Sequence, residues 1–68
     1  MNKFPERLKE LREQKELTYY SLAKQTGFDS YSISRWENGL QIPNIETLIV
    51  LADFFDVPAD YLLGRKEY

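Results

Sequence analysis

"GFDSYSISRWENGLQIPN", residues 27 to 44, decides how the rest of the chain is read. Placed at about 100° per residue, a helix through its middle divides into two faces. Ser32, Ile33, Trp36 and Glu37 fall on one side, and Ser30, Tyr31, Ser34 and Arg35 on the other. Ile33 and Trp36 are the apolar knobs that seat the helix on a core, a plainer role for the only tryptophan than stacking on a ligand. The opposite face is small, polar and hydrogen-bonding, with one planar five-donor cation. Asp29 or Ser30 is placed to cap this helix, and Asn38-Gly39 to stop it, a pair that tolerates left-handed backbone.

Working outward, a second short helix precedes this one across a glycine-containing turn. Thr18 is its N-cap, Leu22, Ala23 and Thr26 face inward, and Gly27 ends it. Two helices joined so closely are the arrangement that offers side chains to a DNA major groove. Upstream, a helix starts near Pro5 and runs to about Lys15, with Phe4, Leu8 and Leu11 on one face. Its remaining charges, such as Glu6 and Lys9 at helical spacing, read as a solvated face. Downstream, Pro43 and Asn44 open a fourth helix that runs to about Phe55, and "PADYLLG" makes a last short turn stopped by Gly64. Apolar positions recur every three or four residues, and no stretch alternates as a strand would. The predicted fold is all-α, with five helices in one domain over residues 1–68.

Composition limits what such a domain does. Sixty-eight residues bury only about 60% of the surface exposed by the unfolded chain, so stability is modest and a substrate-burying cleft has little room. There is no Cys and no His, which removes disulfides, thiolate metal sites, the commonest general base and the commonest metal ligand. Neither an enzyme nor a metal or cofactor site is expected. The N-terminus has no apolar leader and the longest apolar run, "LIVLA" at 48 to 52, is far too short to span a bilayer, so a cytoplasmic protein is expected. The net charge of −2 is unevenly spread: residues 1–43 hold seven Lys/Arg against six Asp/Glu, and residues 44–68 hold two against five. A polyanion would meet the first part.

The stretches "LKELREQKELT", "SLAKQTG", "ISRWENG" and "IPNIETLIVLADFFDVPADYLLG", taken in this order, resemble the phage repressor and Cro type of helix-turn-helix domain, the XRE family, over roughly residues 6–64. The resemblance implies a compact, five-helix, lambda-repressor-like domain. It also implies sequence-specific binding of double-stranded DNA, usually by a homodimer on a palindromic operator. Ala23 and Gly27 match the positions that let the two helices cross closely. The family's base-reading positions fall on Ser30, Tyr31, Ser34 and Arg35, the four that helical phase also selects. Its phosphate positions fall on Thr18, Tyr19, Asn38 and Gly39, where backbone N–H groups and a helix N-terminus can hold an anion. Capping and helix termination explain Thr18 and Asn38-Gly39 equally well. Arg12 and Glu37 are assigned to a partly buried ion pair between the first helix and the end of the third, and helical phase places both toward the core. That role is structural.

Three departures from the family pattern bear on function. The loop after Gly39, often basic, reads Leu40-Gln41-Ile42, and the second helix opens with Tyr19-Tyr20. Across residues 18 to 43 the only cations are Lys24 and Arg35, so the phosphate contribution is small unless Lys3, Arg7 or Lys9 adds to it. The fourth helix is apolar around much of its circumference. Ile45, Leu48, Leu51, Ala52 and Phe55 form its inward stripe, which leaves Ile49, Val50 and Phe54, with Tyr61 and Leu62 nearby, as a candidate dimer surface. Packing of Ile49 and Phe54 against the last helix is the alternative. A second functional class also fits: a protein-interaction module on the same fold, such as an antitoxin or a phage regulatory partner, contacting another protein through Tyr19, Tyr20, Leu40 and Ile42.

Overall fold

The computed structural model describes residues 3 to 65. Its elements are α1 (Phe4–Gln14), α2 (Tyr19–Thr26), α3 (Ser30–Glu37), α4 (Ile45–Phe55) and α5 (Ala59–Leu62). Each of the three middle helices starts on a side chain that satisfies a free N–H of its first turn. Thr18 accepts from Ser21 N, Asp29 from Ser32 N and Asn44 from Thr47 N. The stops are equally local. Gly27 adopts φ 86° at the end of α2, Gly39 adopts φ 72° after α3, and Asp56 takes the left-handed conformation after α4. A Cβ on Gly27 would meet nothing within 4 Å, so this glycine serves the backbone turn and not, as the family pattern implies, a close approach of helices.

The core is built from one face of every helix. Leu8, Leu22, Ile33, Leu51 and Leu62 are completely enclosed, and each contributes about 1.5–3 kcal/mol relative to an exposed side chain. Phe4, Leu11, Ala23, Trp36, Ala52 and Phe55 complete the cluster. Phe28, in the turn between α2 and α3, stands edge-on to Trp36 at a centroid distance of 5.5 Å. The Trp36 indole N–H is buried without an acceptor among the described residues, and nothing in the packing accounts for it.

Two arginines of α1 act inside the fold. Arg7, considered above as a phosphate ligand, is buried: Nη1 donates to the Tyr61 carbonyl at 2.9 Å, and the guanidinium lies 4.1 Å from the Tyr61 ring centroid. It joins α1 to α5 and is lost to any surface role. Arg12 meets Glu37 with two parallel hydrogen bonds, Nε to Oε2 at 2.7 Å and Nη2 to Oε1 at 3.0 Å, while Nη1 donates to the Leu17 carbonyl at 2.8 Å. The Tyr19 ring lies beneath the same guanidinium, 4.6 Å from its centre. Side-chain exposure is 12% for Arg12 and 1% for Glu37. Hydrogen bonding to Glu37 pushes the Arg12 pKa further up, against the opposing effect of burial.

Two further placements differ from the sequence reading. Ile45, assigned to the inward stripe of α4, is 76% exposed. It is the first residue of its helix and stands at the rim of an open apolar pocket of about 320 Å³, lined also by Phe4, Pro5, Ile42, Leu48 and Leu63, which no side chain fills. Leu62, assigned to the dimer surface, is wholly buried, because the single turn of α5 points it back against the core.

Replacing either Arg12 or Glu37 by Ala should cost about 3–5 kcal/mol, since each leaves its partner's charge shielded and unpaired. The double variant Arg12→Met/Glu37→Leu should lose less than either single variant. Urea denaturation of the three variants measures both effects, and single variants as stable as wild type would show that the pair is effectively solvated.

Candidate nucleic-acid interface

The outward side of α3 forms the centre of the site. Ser30 and Tyr31 are exposed, and Ser34 and Arg35 are half-buried beside them. The face is fixed at its start by Asp29, whose Oδ1 accepts from Ser32 N at 2.7 Å and whose Oδ2 accepts from the Ser32 hydroxyl at 3.0 Å. These bonds, the backbone one first, hold the Asp29 carboxyl below its usual pKa. A carboxylate here also complements the positive end of the helix.

Arg35 closes the far end of the face, and its guanidinium is already engaged. Nε donates to Gln41 Oε1 at 3.0 Å, Nη1 to the Tyr31 hydroxyl at 3.2 Å, and Nη2 makes a long 3.5 Å contact with the Leu40 carbonyl. Its centre stands 5.5 Å from the Tyr31 ring centroid. Gln41 did not emerge from the sequence, because it lies beyond the end of α3 where helical phase says nothing. The loop doubles back: the Leu40 N–H donates to the Arg35 carbonyl, and Gly39 supplies the positive φ that the reversal requires.

The four candidate phosphate positions differ in what they have left to offer. The Thr18 hydroxyl accepts from Ser21 N and donates to Ser21 Oγ, both at 3.0 Å, so it is occupied as a cap. Tyr19 is half-buried under Arg12, whereas Tyr20 is exposed with Lys24 Nζ 5.7 Å from its ring centroid. As the first residues of α2, Tyr19 and Tyr20 carry N–H groups that the helix itself leaves unsatisfied. At the other end, the backbone N–H groups of Asn38 and Gly39 already donate to Ser34 and Trp36 carbonyls. The Asn38 side chain donates to the Ser34 carbonyl at 2.7 Å. Anion capture by those backbone groups is therefore corrected: the end of a helix consumes them, and only the exposed Asn38 amide remains adjustable there.

Away from this face, Ile42, Ile45, Ile49 and Val50 are exposed, as is Leu40. Phe54 is half-buried, edge-on to Phe55 at 4.9 Å, and Tyr61 is half-buried under Arg7. The apolar surface is thus centred on the loop before α4 and its first two turns, and not on α5. No helix among the described residues is long and apolar enough to cross a membrane.

A helix-turn-helix family model matches residues 8–62. The HTH-type transcriptional activator BcrR of Enterococcus faecalis is 42% identical over 64 residues, covering 94% of this chain and 31% of that protein. The HTH-type transcriptional regulator AnsR of Bacillus subtilis is 37% identical over 62 residues, covering 91% and 53%. The chain therefore spans about a third to a half of these relatives. Among solved structures, the P22 c2 repressor in complex with a synthetic operator superposes with a TM-score of 0.85 at 30% identity, covering 93% of this chain and 96% of that one.

The lowered Asp29 pKa has a consequence in acid. Its folded value lies below the unfolded one, so the cap stabilises the fold above the ordinary carboxylate range, about pH 4, and that contribution is lost as pH falls through the folded value. Asp29→Asn keeps a capping oxygen but does not titrate. Below about pH 4 the wild type should therefore lose melting temperature more steeply than Asp29→Asn. Parallel profiles would contradict the assignment.

Proposed function

Because the chain belongs to the helix-turn-helix family, we propose that residues 1–68 form one duplex-DNA-binding domain of a cytoplasmic transcriptional regulator, a non-enzymatic repressor that acts as a homodimer on a palindromic operator. The observation that carries the reading is the outward face of α3, where Ser30, Tyr31, Ser34 and Arg35 stand together on a helix seated by Ile33, Trp36 and Glu37. Hydroxyls and a guanidinium at this spacing can reach base edges in a major groove.

Phosphates on either side would meet the first N–H groups of α2, the Tyr20 hydroxyl, Lys24 and the Asn38 amide. With Arg7 and Arg12 committed to the fold, few cations face a backbone, so affinity depends on using two half-sites. The Cα framework measures 28 × 23 × 20 Å. Successive major grooves on one side of a duplex are about 34 Å apart. One protomer therefore reads one groove, and two must associate to read a palindrome. The exposed Ile49 and Val50 support pairing at α4, with Ile42 and Ile45 extending that surface.

A second reading, a protein-interaction module, draws on the exposed Tyr20, Leu40 and Ile42. Selection from a random duplex pool, followed by salt titration of the winners, separates the two. The expected result is a two-half-site motif whose affinity falls with salt at a slope of about 0.9 per phosphate neutralised, with few phosphates per protomer. An unenriched pool and an absence of salt-sensitive duplex affinity would favour the protein-binding role.

A further inference from the structure

We propose that Gln41 is a positioning residue for Arg35: it holds the guanidinium so that one N–H on each of Nη1 and Nη2 is offered as a fork to guanine O6 and N7 at one base pair of each half-site. The inference rests on the DNA-binding reading above and adds a residue from outside the helix-turn-helix that determines specificity.

Three of the five guanidinium N–H groups are directed inward along the surface, to Gln41, to Tyr31 and, more weakly, to Leu40. Gln41 takes Nε, the donor nearest the chain, which sets the plane of the group. Tyr31 lies one turn back on the same face and takes one proton of Nη1. The remaining two donors belong to the two terminal nitrogens. Such a pair matches the two acceptors on the major-groove edge of guanine.

The contact is between two side chains at the surface, but the backbone that carries Gln41 is fixed. The Leu40 N–H to Arg35 carbonyl bond at 2.9 Å fixes the loop over the last turn of α3. Gln41, itself exposed, lines the rim of the apolar pocket together with Gly39, Ile42 and Pro43. A restrained arginine loses less conformational freedom on binding than a free one, which raises discrimination without any new contact to DNA. A free surface arginine would equally serve a phosphate; one fixed in plane is suited to a planar pair of acceptors.

The test uses the full chain and a random-sequence duplex pool, with wild type, Arg35→Ala, Gln41→Ala and Gln41→Glu selected in parallel. Wild type should enrich guanine at one position of each half-site, and Arg35→Ala should reduce that preference about 10-fold. Gln41→Ala should weaken the same preference about 3-fold or more, whereas Gln41→Glu, which keeps an acceptor for Nε, should retain it while binding all duplexes less tightly. In the free protein, 15N relaxation of the Arg35 Nε–H should show a restrained group in wild type and Gln41→Glu and a mobile one in Gln41→Ala. An unchanged guanine preference in Gln41→Ala overturns the proposal and leaves the DNA-binding reading intact. So does a preference lost at a different base pair, which would make Gln41 a reader in its own right. A wild-type pool with no enrichment overturns both.

Discussion

Glu37 ends α3 with its carboxylate sealed from water, so the whole arrangement depends on a cation reaching it from elsewhere in the fold. Arg12 does this from α1 with two parallel hydrogen bonds, and a third donor of the same guanidinium reaches the Leu17 carbonyl just before α2. One planar group therefore fixes the positions of three helices. An isolated buried carboxylate is strongly unfavourable, so only registers of α3 that bring Glu37 to Arg12 are accessible. Those registers turn Ile33 and Trp36 inward and leave Ser30, Tyr31, Ser34 and Arg35 outside. The face proposed to meet DNA is the complement of the buried one.

This explains why the fold was legible in the sequence. Caps and stops are local chemistry: Thr18, Asp29, Asn44 and the glycines at 27, 39 and 64 bound their helices within a few residues. Helical phase then assigns the inner positions of α1 to α3. It failed where the answer depends on the ends of helices in space. Ile45 has the phase of a core residue but belongs to a first turn that overhangs the pocket, and Leu62 sits on a helix of only four residues, too short for phase to decide. Arg7 looked like a surface cation because nothing in its own helix reveals that the Tyr61 ring and carbonyl lie across from it. Gln41 is the extreme case, since its partner Arg35 is reached only through a loop reversal made by Gly39.

The division of labour between charge and shape is unusual for a domain meeting a polyanion. The chain carries a net charge of −2, and two arginines of α1 are spent on internal contacts. What the proposed interface offers is a set of hydroxyls and amides with Lys24 and the Arg35 guanidinium, a set weighted toward discriminating base edges over attracting phosphate. On the proposed function, such a domain depends on geometry and on pairing of two copies. The exposed apolar residues Ile42, Ile45, Ile49 and Val50 are the surface proposed for that pairing.

The outward face of α3 is the surface proposed to meet DNA. Backbone amide chemical shifts, followed while a duplex enriched from a random pool is titrated into 15N-labelled protein, test it most directly. The largest changes are expected at residues 29–35, with others at 18–20 and 38–41. Binding that leaves residues 30–35 unchanged, with shifts confined to α1 or α4, would contradict it.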